Sequence, residues 1–144
     1  MKRREFLRQT GAAAVACGLL PACGEDASCS TSLISVEPDG TLLKLPLSEL
    51  DATGGSVWVD ASAAGNSFEL VVARLESGDL VALSRKCTHQ NCDVCFEDGP
   101  QEFYCPCHGS RFSSTGSVKK GPAGRPLKEY PVIIDGDSVV VDVA

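Results

Sequence analysis

The sequence predicts an all-β domain. Three observations predict it: helical periodicity is weak along the whole chain, apolar residues come in short or alternating runs, and turn-forming Gly, Pro, Asn and Asp punctuate those runs. With 144 residues the chain suits one domain with a modest core and a leader. Leu33 to Val36 and Thr41 to Leu45 read as strands flanking Pro38-Asp39-Gly40. Ser48 to Asp51 reads as one helical turn before Gly54-Gly55, and Ser56 to Asp60 as a strand. Phe68 to Leu75 and Leu80 to Ser84 make a hairpin through Glu76-Ser77-Gly78-Asp79. Phe103-Tyr104 and Arg111-Phe112 are short strands, with Phe103, Tyr104 and Trp58 read as core. Pro131 to Ile134 and Ser138 to Val143 form a last hairpin at Asp135-Gly136, a strong two-residue turn signal.

The first 22 residues read as an export signal. A basic stretch, Met1 to Arg8, precedes an apolar run from Gly11 to Ala22, which is shorter than the ~20 apolar residues of a membrane-spanning helix. Arg3-Arg4-Glu5-Phe6-Leu7 resembles the twin-arginine motif of the route that exports folded proteins. Leu20-Pro21-Ala22-Cys23-Gly24 resembles a lipobox, so Cys23 is the expected lipidation site; two or more acyl chains anchor a protein stably to a membrane surface. Residues 23–32 read as a flexible tether and 33–144 as the folded domain. From Cys23 onward nine Lys and Arg face eighteen Asp and Glu, a net charge of −9. That balance disfavours nucleic acid and favours a cationic partner such as a basic cytochrome c.

Chemistry concentrates between Cys87 and Ser110. Cys87-Thr88-His89-Gln90-Asn91-Cys92 is followed by Cys105-Pro106-Cys107-His108-Gly109-Ser110, and these two boxes hold both histidines of the protein and four of its eight cysteines. Thiolates suit iron–sulfur clusters and zinc, and imidazole binds either metal. A zinc module of the Cys₂His₂ kind is the plainer reading, but zinc-finger order places two Cys before two His, unlike the alternation here. One Cys and one His from each of two loops is what a [2Fe–2S] cluster needs when two imidazoles replace two thiolates on one iron.

The two boxes, Cys87-Thr88-His89-x-x-Cys92 and Cys105-Pro106-Cys107-His108-Gly109-Ser110, resemble those of Rieske iron–sulfur proteins. The resemblance covers about Leu33 to the C-terminus. It implies stacked antiparallel sheets with a small cluster-binding subdomain at about residues 85–119 and one [2Fe–2S] cluster per chain. It further implies that Cys87 and Cys105 hold the inner iron, that His89 and His108 hold the outer one, and that Cys92 and Cys107 form a disulfide across the loops. Ser110 matches the serine that bonds a bridging sulfide, and Gly121-Pro122-Ala123-Gly124-Arg125-Pro126-Leu127 resembles the loop that covers the cluster's third side, with Pro122 in the cluster's surroundings. Asn91 stands where the family usually has Gly, and Asn tolerates a left-handed turn better than most residues. Phe112 stands where many high-potential members have Tyr, which implies a potential below the top of the range. With those cysteines assigned, Cys23 taking lipid and Cys17 leaving with the signal, Cys29 and Cys95 remain: either they pair, or Cys95 is buried and free while Cys29 is loose.

The function implied is one-electron transfer as a subunit of an oxidoreductase rather than as a complete enzyme. The expected setting is the periplasmic face of the inner membrane, with a quinol-oxidising membrane cytochrome as donor and a c-type cytochrome as acceptor. One alternative is the small subunit of a periplasmic oxidoreductase of the arsenite-oxidase kind, beside a molybdenum-containing large subunit; another is a non-redox, zinc-stabilised binding module.

Overall fold

A computed structural model describes Cys29, residues 31–63 and residues 65–144. The expected signal and Cys23 lie outside the described residues, as does most of the tether; among those described, no helix is long and apolar enough to cross a membrane.

Among the described residues, thirteen strands build three sheets. In chain order they are β1 (Ser32–Ser35), β2 (Pro38–Asp39), β3 (Leu42–Pro46), β4 (Ser56–Ala63), β5 (Asn66–Arg74), β6 (Leu80–Ser84), β7 (Cys95–Glu97), β8 (Glu102–Tyr104), β9 (Arg111–Phe112), β10 (Val118–Lys120), β11 (Glu129–Tyr130), β12 (Val132–Asp135) and β13 (Ser138–Asp142). The expected helical turn is a 3₁₀ turn at Leu47–Leu50. The large sheet runs β1-β4-β5-β6-β11, a second β12-β13-β3-β2, and a small one β10-β9-β8-β7. The all-β class and the antiparallel stacking agree with the sequence. One pair departs from it: β1 joins the edge of the large sheet parallel to β4, while the neighbouring Pro38-Asp39 belongs to the second sheet.

The strand sequences explain the layering. β5 carries an unbroken apolar run, Leu70-Val71-Val72-Ala73, in which every residue is buried. Because side chains alternate across a strand, such a run is buried on both faces. Leu70 and Val72 pack with Leu43, Leu45, Val57, Val139 and Val141 between the large and second sheets. Val71 and Ala73 pack on the other side with Leu83, Val94, Phe103 and Phe112 and with Cys87 and Cys105. The large sheet is thus a shared wall, with a purely apolar core on one side and the Cys/His region on the other.

Two aromatic assignments need correction. Trp58 and Tyr104 are half-buried rather than core, while Phe103 is fully buried. Each half-buried ring lies under a guanidinium, Arg85 over Trp58 and Arg111 over Tyr104, both at 4.8 Å. Their amphipathic faces serve cation–π contacts at the edge of the core.

Gly116 closes the turn that leads toward the proline-rich loop. Its φ is 86°, its carbonyl accepts from Leu127 N–H at 2.9 Å, and an added Cβ would sit 2.8 Å from the Leu127 carbonyl oxygen. A non-glycine residue held in this conformation costs about 1–3 kcal/mol. Gly116→Ala is therefore expected to lower stability by about that much in a urea titration.

Candidate metal centre

Both Cys/His loops close by the same local device. In the first, Cys87 N–H donates to the Cys92 carbonyl (2.8 Å) and Asn91 N–H to the Cys87 carbonyl (2.9 Å). In the second, Cys105 N–H donates to the Ser110 carbonyl (2.8 Å) and Gly109 N–H to the Cys105 carbonyl (3.0 Å). The fifth residue of each turn must be left-handed, and it is: Asn91 has φ 58° and Gly109 φ 81°. Asn91 thus does in the first loop what Gly109 does in the second, with a residue type that tolerates the conformation. The first loop is bounded by the bridge between Lys86 and Asp93, the second by β8 and β9.

Each loop points one thiol inward and one imidazole outward. Cys87 and Cys105 are each 1% exposed and carry free thiols, while His89 and His108 are both exposed. The two imidazole rings lie with centroids 5.0 Å apart, at 87° to one another. Cys92 and Cys107 are joined by a disulfide, with Cα atoms 6.4 Å apart. The Cys92, Cys105 and Cys107 sulfurs lie within 4.8 Å of one another, but two of the three are consumed by that disulfide. The free donors are therefore Cys87 and Cys105 below and His89 and His108 above.

The chemistry of this donor set fits a metal centre. Burial pushes the Cys105 thiol above its ordinary pKa, and the neighbouring Cys87 thiol adds to this; the backbone N–H groups of Cys107 and His108, aimed at its sulfur, pull the other way. Thiolates are the ligating form, so two adjacent buried sulfurs call for a cation to hold their charge. An exposed imidazole pair supplies the second half of the ligand set without adding charge.

A second ring of residues fixes the loops. Ser110 is fully buried, and its Oγ accepts from Ala123 N–H at 2.9 Å, which leaves the hydroxyl proton free to donate. Thr88 Oγ1 donates to the Arg125 carbonyl at 2.7 Å, so residues 121–127 are tied to both loops. Pro122 itself is exposed; the buried residue and the hydrogen bond belong to its neighbour Ala123. Phe112 is fully buried in the cluster of side chains that includes Cys87 and Cys105. Cys29 and Cys95 are bonded, which ties the segment before β1 to β7.

The first loop is also clamped to the large sheet, through residues that sequence reading missed. Arg85, 4% exposed, pairs with Asp60 (2.9 Å), Glu69 (3.2 Å) and Asp93 (2.9 Å). Its Nη1 and the Asp60 Oδ1 form a close ion pair off the line of a hydrogen bond, whereas its Nε donates squarely to Asp93. Trp58 Nε1 donates to the Val94 carbonyl at 3.1 Å, and Lys86 pairs with Asp93 and Glu69. Nothing in a single arginine before a Cys box marks it as buried; only the carboxylates brought across from β4 and β5 do.

Two hairpin-like loops, each giving one buried thiol and one exposed imidazole on a β scaffold, define a class: a β domain built to hold a mixed thiolate–imidazole metal centre. The Rieske [2Fe-2S] domain model matches residues 46–131, and the chain belongs to this family. A [2Fe–2S] cluster is accordingly its cofactor. The chain is 39% identical over 79 residues to the cytochrome b6-f complex iron-sulfur subunit of Chlorobaculum thiosulfatiphilum, covering 55% of this chain and 43% of that protein. It is 37% identical over 98 residues to the cytochrome b6-f complex iron-sulfur subunit 1 of Synechocystis sp., covering 67% and 55%. The chain thus spans about half the length of the curated relatives it matches. Among solved structures, the cyanobacterial plasma membrane Rieske protein PetC3 from Synechocystis matches with a TM-score of 0.56 and 31% identity over 68% of this chain and 95% of that one. The Sphingomonas yanoikuyae B1 ferredoxin matches with a TM-score of 0.56 and 28% identity over 69% and 94%.

Proposed function

We propose that the protein carries single electrons, with Cys87 and Cys105 ligating the buried iron and His89 and His108 the exposed one. The observation that carries this reading is that the same two loops supply two free buried thiols and two exposed imidazoles whose centroids are 5.0 Å apart. When bound, the cluster supplies a one-electron couple, at about −150 to +300 mV for imidazole-ligated centres against about −400 mV for all-thiolate plant-type ones. The protein contributes the rest. Exposed His89 and His108 give a redox partner, or a quinol hydroxyl, direct access to the ligand side of the iron. Ser110, held by Ala123 N–H, keeps one hydroxyl proton for a sulfide, and the N–H groups of Cys107 and His108 favour negative charge on the Cys105 sulfur.

The relatives, iron-sulfur subunits of cytochrome b6-f complexes, support a place beside a membrane cytochrome; to this we add a quinol as electron source and a c-type cytochrome as acceptor. We assign the protein to the outer face of the inner membrane, exported folded through the twin-arginine route and anchored by lipid on Cys23; the mass of the mature N-terminus tests this. The near-complete match to a ferredoxin favours one second reading, a carrier serving a soluble oxidoreductase. Co-purification of partners from native membranes separates the two.

The tuning has its own test. Phe112 is buried beside the ligand cysteines and offers no hydroxyl. Phe112→Tyr is expected to raise the midpoint by about 20–65 mV, the equivalent of one net hydrogen bond of about 0.5–1.5 kcal/mol. An unchanged or lower midpoint would refute the tuning argument.

A further inference from the structure

The chain is acidic overall, yet one surface beside its first Cys/His loop is lined by cations. A depression of about 450 Å³ lies beside the first loop, lined by Lys86, Thr88, Asn91, Arg125, Pro126 and Lys128 among others, and no carboxylate lines it. Lys86 is matched by Asp93 (2.7 Å) and Glu69 (3.2 Å). Arg125 and Lys128 are exposed and, among the described residues, have no carboxylate partner within 4.0 Å. Both are held in place: the Arg125 carbonyl accepts from Thr88, the neighbour of His89, and the Lys128 ammonium sits 4.6 Å from the Tyr130 ring centroid while its carbonyl accepts from Ser84 N–H. The carboxylates nearby are matched: Asp60 and Glu69, which with Glu37 line a depression of about 370 Å³ at the β1–β4–β5 edge, pair with Arg85 and, for Glu69, with Lys86 as well.

We infer that Arg125 and Lys128 form a docking face for the acidic surface of a redox-partner protein, beside His89. The reason is range. Exposed charges interact over about 10 Å at 0.1 M salt, so a partner approaching the first loop feels these two unpaired cations more than Asp60, Glu69 and Asp93, whose charges Arg85 and Lys86 already offset. The expectation from net charge alone, a cationic partner, is thereby reversed at the point of contact. This inference rests on the electron-carrier reading above.

The test uses full-length, cluster-loaded protein reduced with dithionite and desalted. It is mixed with cytochrome c in two forms: native, which is basic, and exhaustively succinylated, which is acidic. Each turnover takes one electron from the reduced protein and converts one haem from ferric to ferrous. The acidic form is expected to be reduced faster at low ionic strength, at a rate that falls as sodium chloride is added. Arg125→Glu/Lys128→Glu should slow the acidic form about tenfold or more and speed the basic one, consistent with the size of electrostatic steering. The electron paramagnetic resonance spectrum should not change, and Lys44→Glu in the second sheet should leave both rates alone. Faster reduction of the basic form by the unmodified protein, with a rate that falls as salt is added, overturns the inference without needing any variant to fold. So does inhibition by millimolar phosphate beyond that of sodium chloride at equal ionic strength, which would make the depression a small-anion site. Failure to reduce either form would instead contradict the electron-carrier reading.

Discussion

Cys105→Ser is expected to leave the protein without its cluster and without colour. The loss should exceed the ~10–100-fold drop in metal affinity seen when only an outer partner of a ligand is changed. The Cys105 sulfur is one of two buried, unpaired thiols, and no other free cysteine lies among the described residues to replace it. Because a metal centre assembled from loops contributes its binding energy to folding, the loops should also lose order and the whole domain stability. Iron and sulfide analysis of the purified variant reads the first effect and urea denaturation the second. The contrast that gives the experiment its force is the Cys92→Ser/Cys107→Ser pair, whose sulfurs sit within 4.8 Å of Cys105 but are bonded to each other. Opening that disulfide, which closes a loop of 15 residues, should cost about 3 kcal/mol while iron is still bound. Equal iron loss in both variants would contradict the division of these cysteines into ligands and clamp.

The second large effect is expected at Arg85. Removing one member of a buried ion-pair network costs about 3–5 kcal/mol when all partners are buried. Here the guanidinium is 5% exposed, but Asp60, Glu69 and Asp93 retain 33–40% exposure, so their loss of a partner is softened by water. Arg85→Ala should therefore cost about 2–3 kcal/mol, a shift of about 1–2 M in the urea midpoint. Arg85→Lys should recover only part of this, since a compact ammonium lacks the span of the planar guanidinium, whose three nitrogens each face a different carboxylate. The cluster should assemble in both variants and be lost more readily, because the network joins the first loop to β4 and β5. A midpoint within a few tenths of a molar of the unmodified protein would show that the clamp contributes nothing.

The site was more legible than its support. Ligand-type residues announce themselves because Cys and His are rare and their spacing is dictated by the metal, and the hairpins because glycine-containing turns have few alternatives. The last turn nevertheless falls at Gly136-Asp137, one residue beyond the expected Asp135-Gly136, since Asp135 still pairs with Ser138. Strand ends were less legible: β4 and β5 extend to Ala63 and Asn66 through residues of no strong strand preference, fixed by each other's pairing rather than by propensity. β7, β10 and β11 escaped altogether. They are two or three residues long and exist only because a neighbouring strand offers them a ladder. The parallel placement of β1 has the same character: Leu33-Ile34 supplies the apolar content of a short strand but not the identity of its partner. Arg85, Trp58 and Ala123 share that limit, since each acts through a residue far away in the chain. Pro122 shows the converse, a conspicuous residue whose neighbour makes the contact.

The central claim, that one imidazole from each loop ligates the reduced cluster, is tested most directly by pulsed electron paramagnetic resonance of the reduced protein grown with ¹⁵N-histidine. The account predicts strong couplings to two histidine nitrogens, with His89→Cys and His108→Cys each removing one of them. A reduced signal with no histidine coupling, or purified protein that holds zinc in place of iron and sulfide, would contradict it.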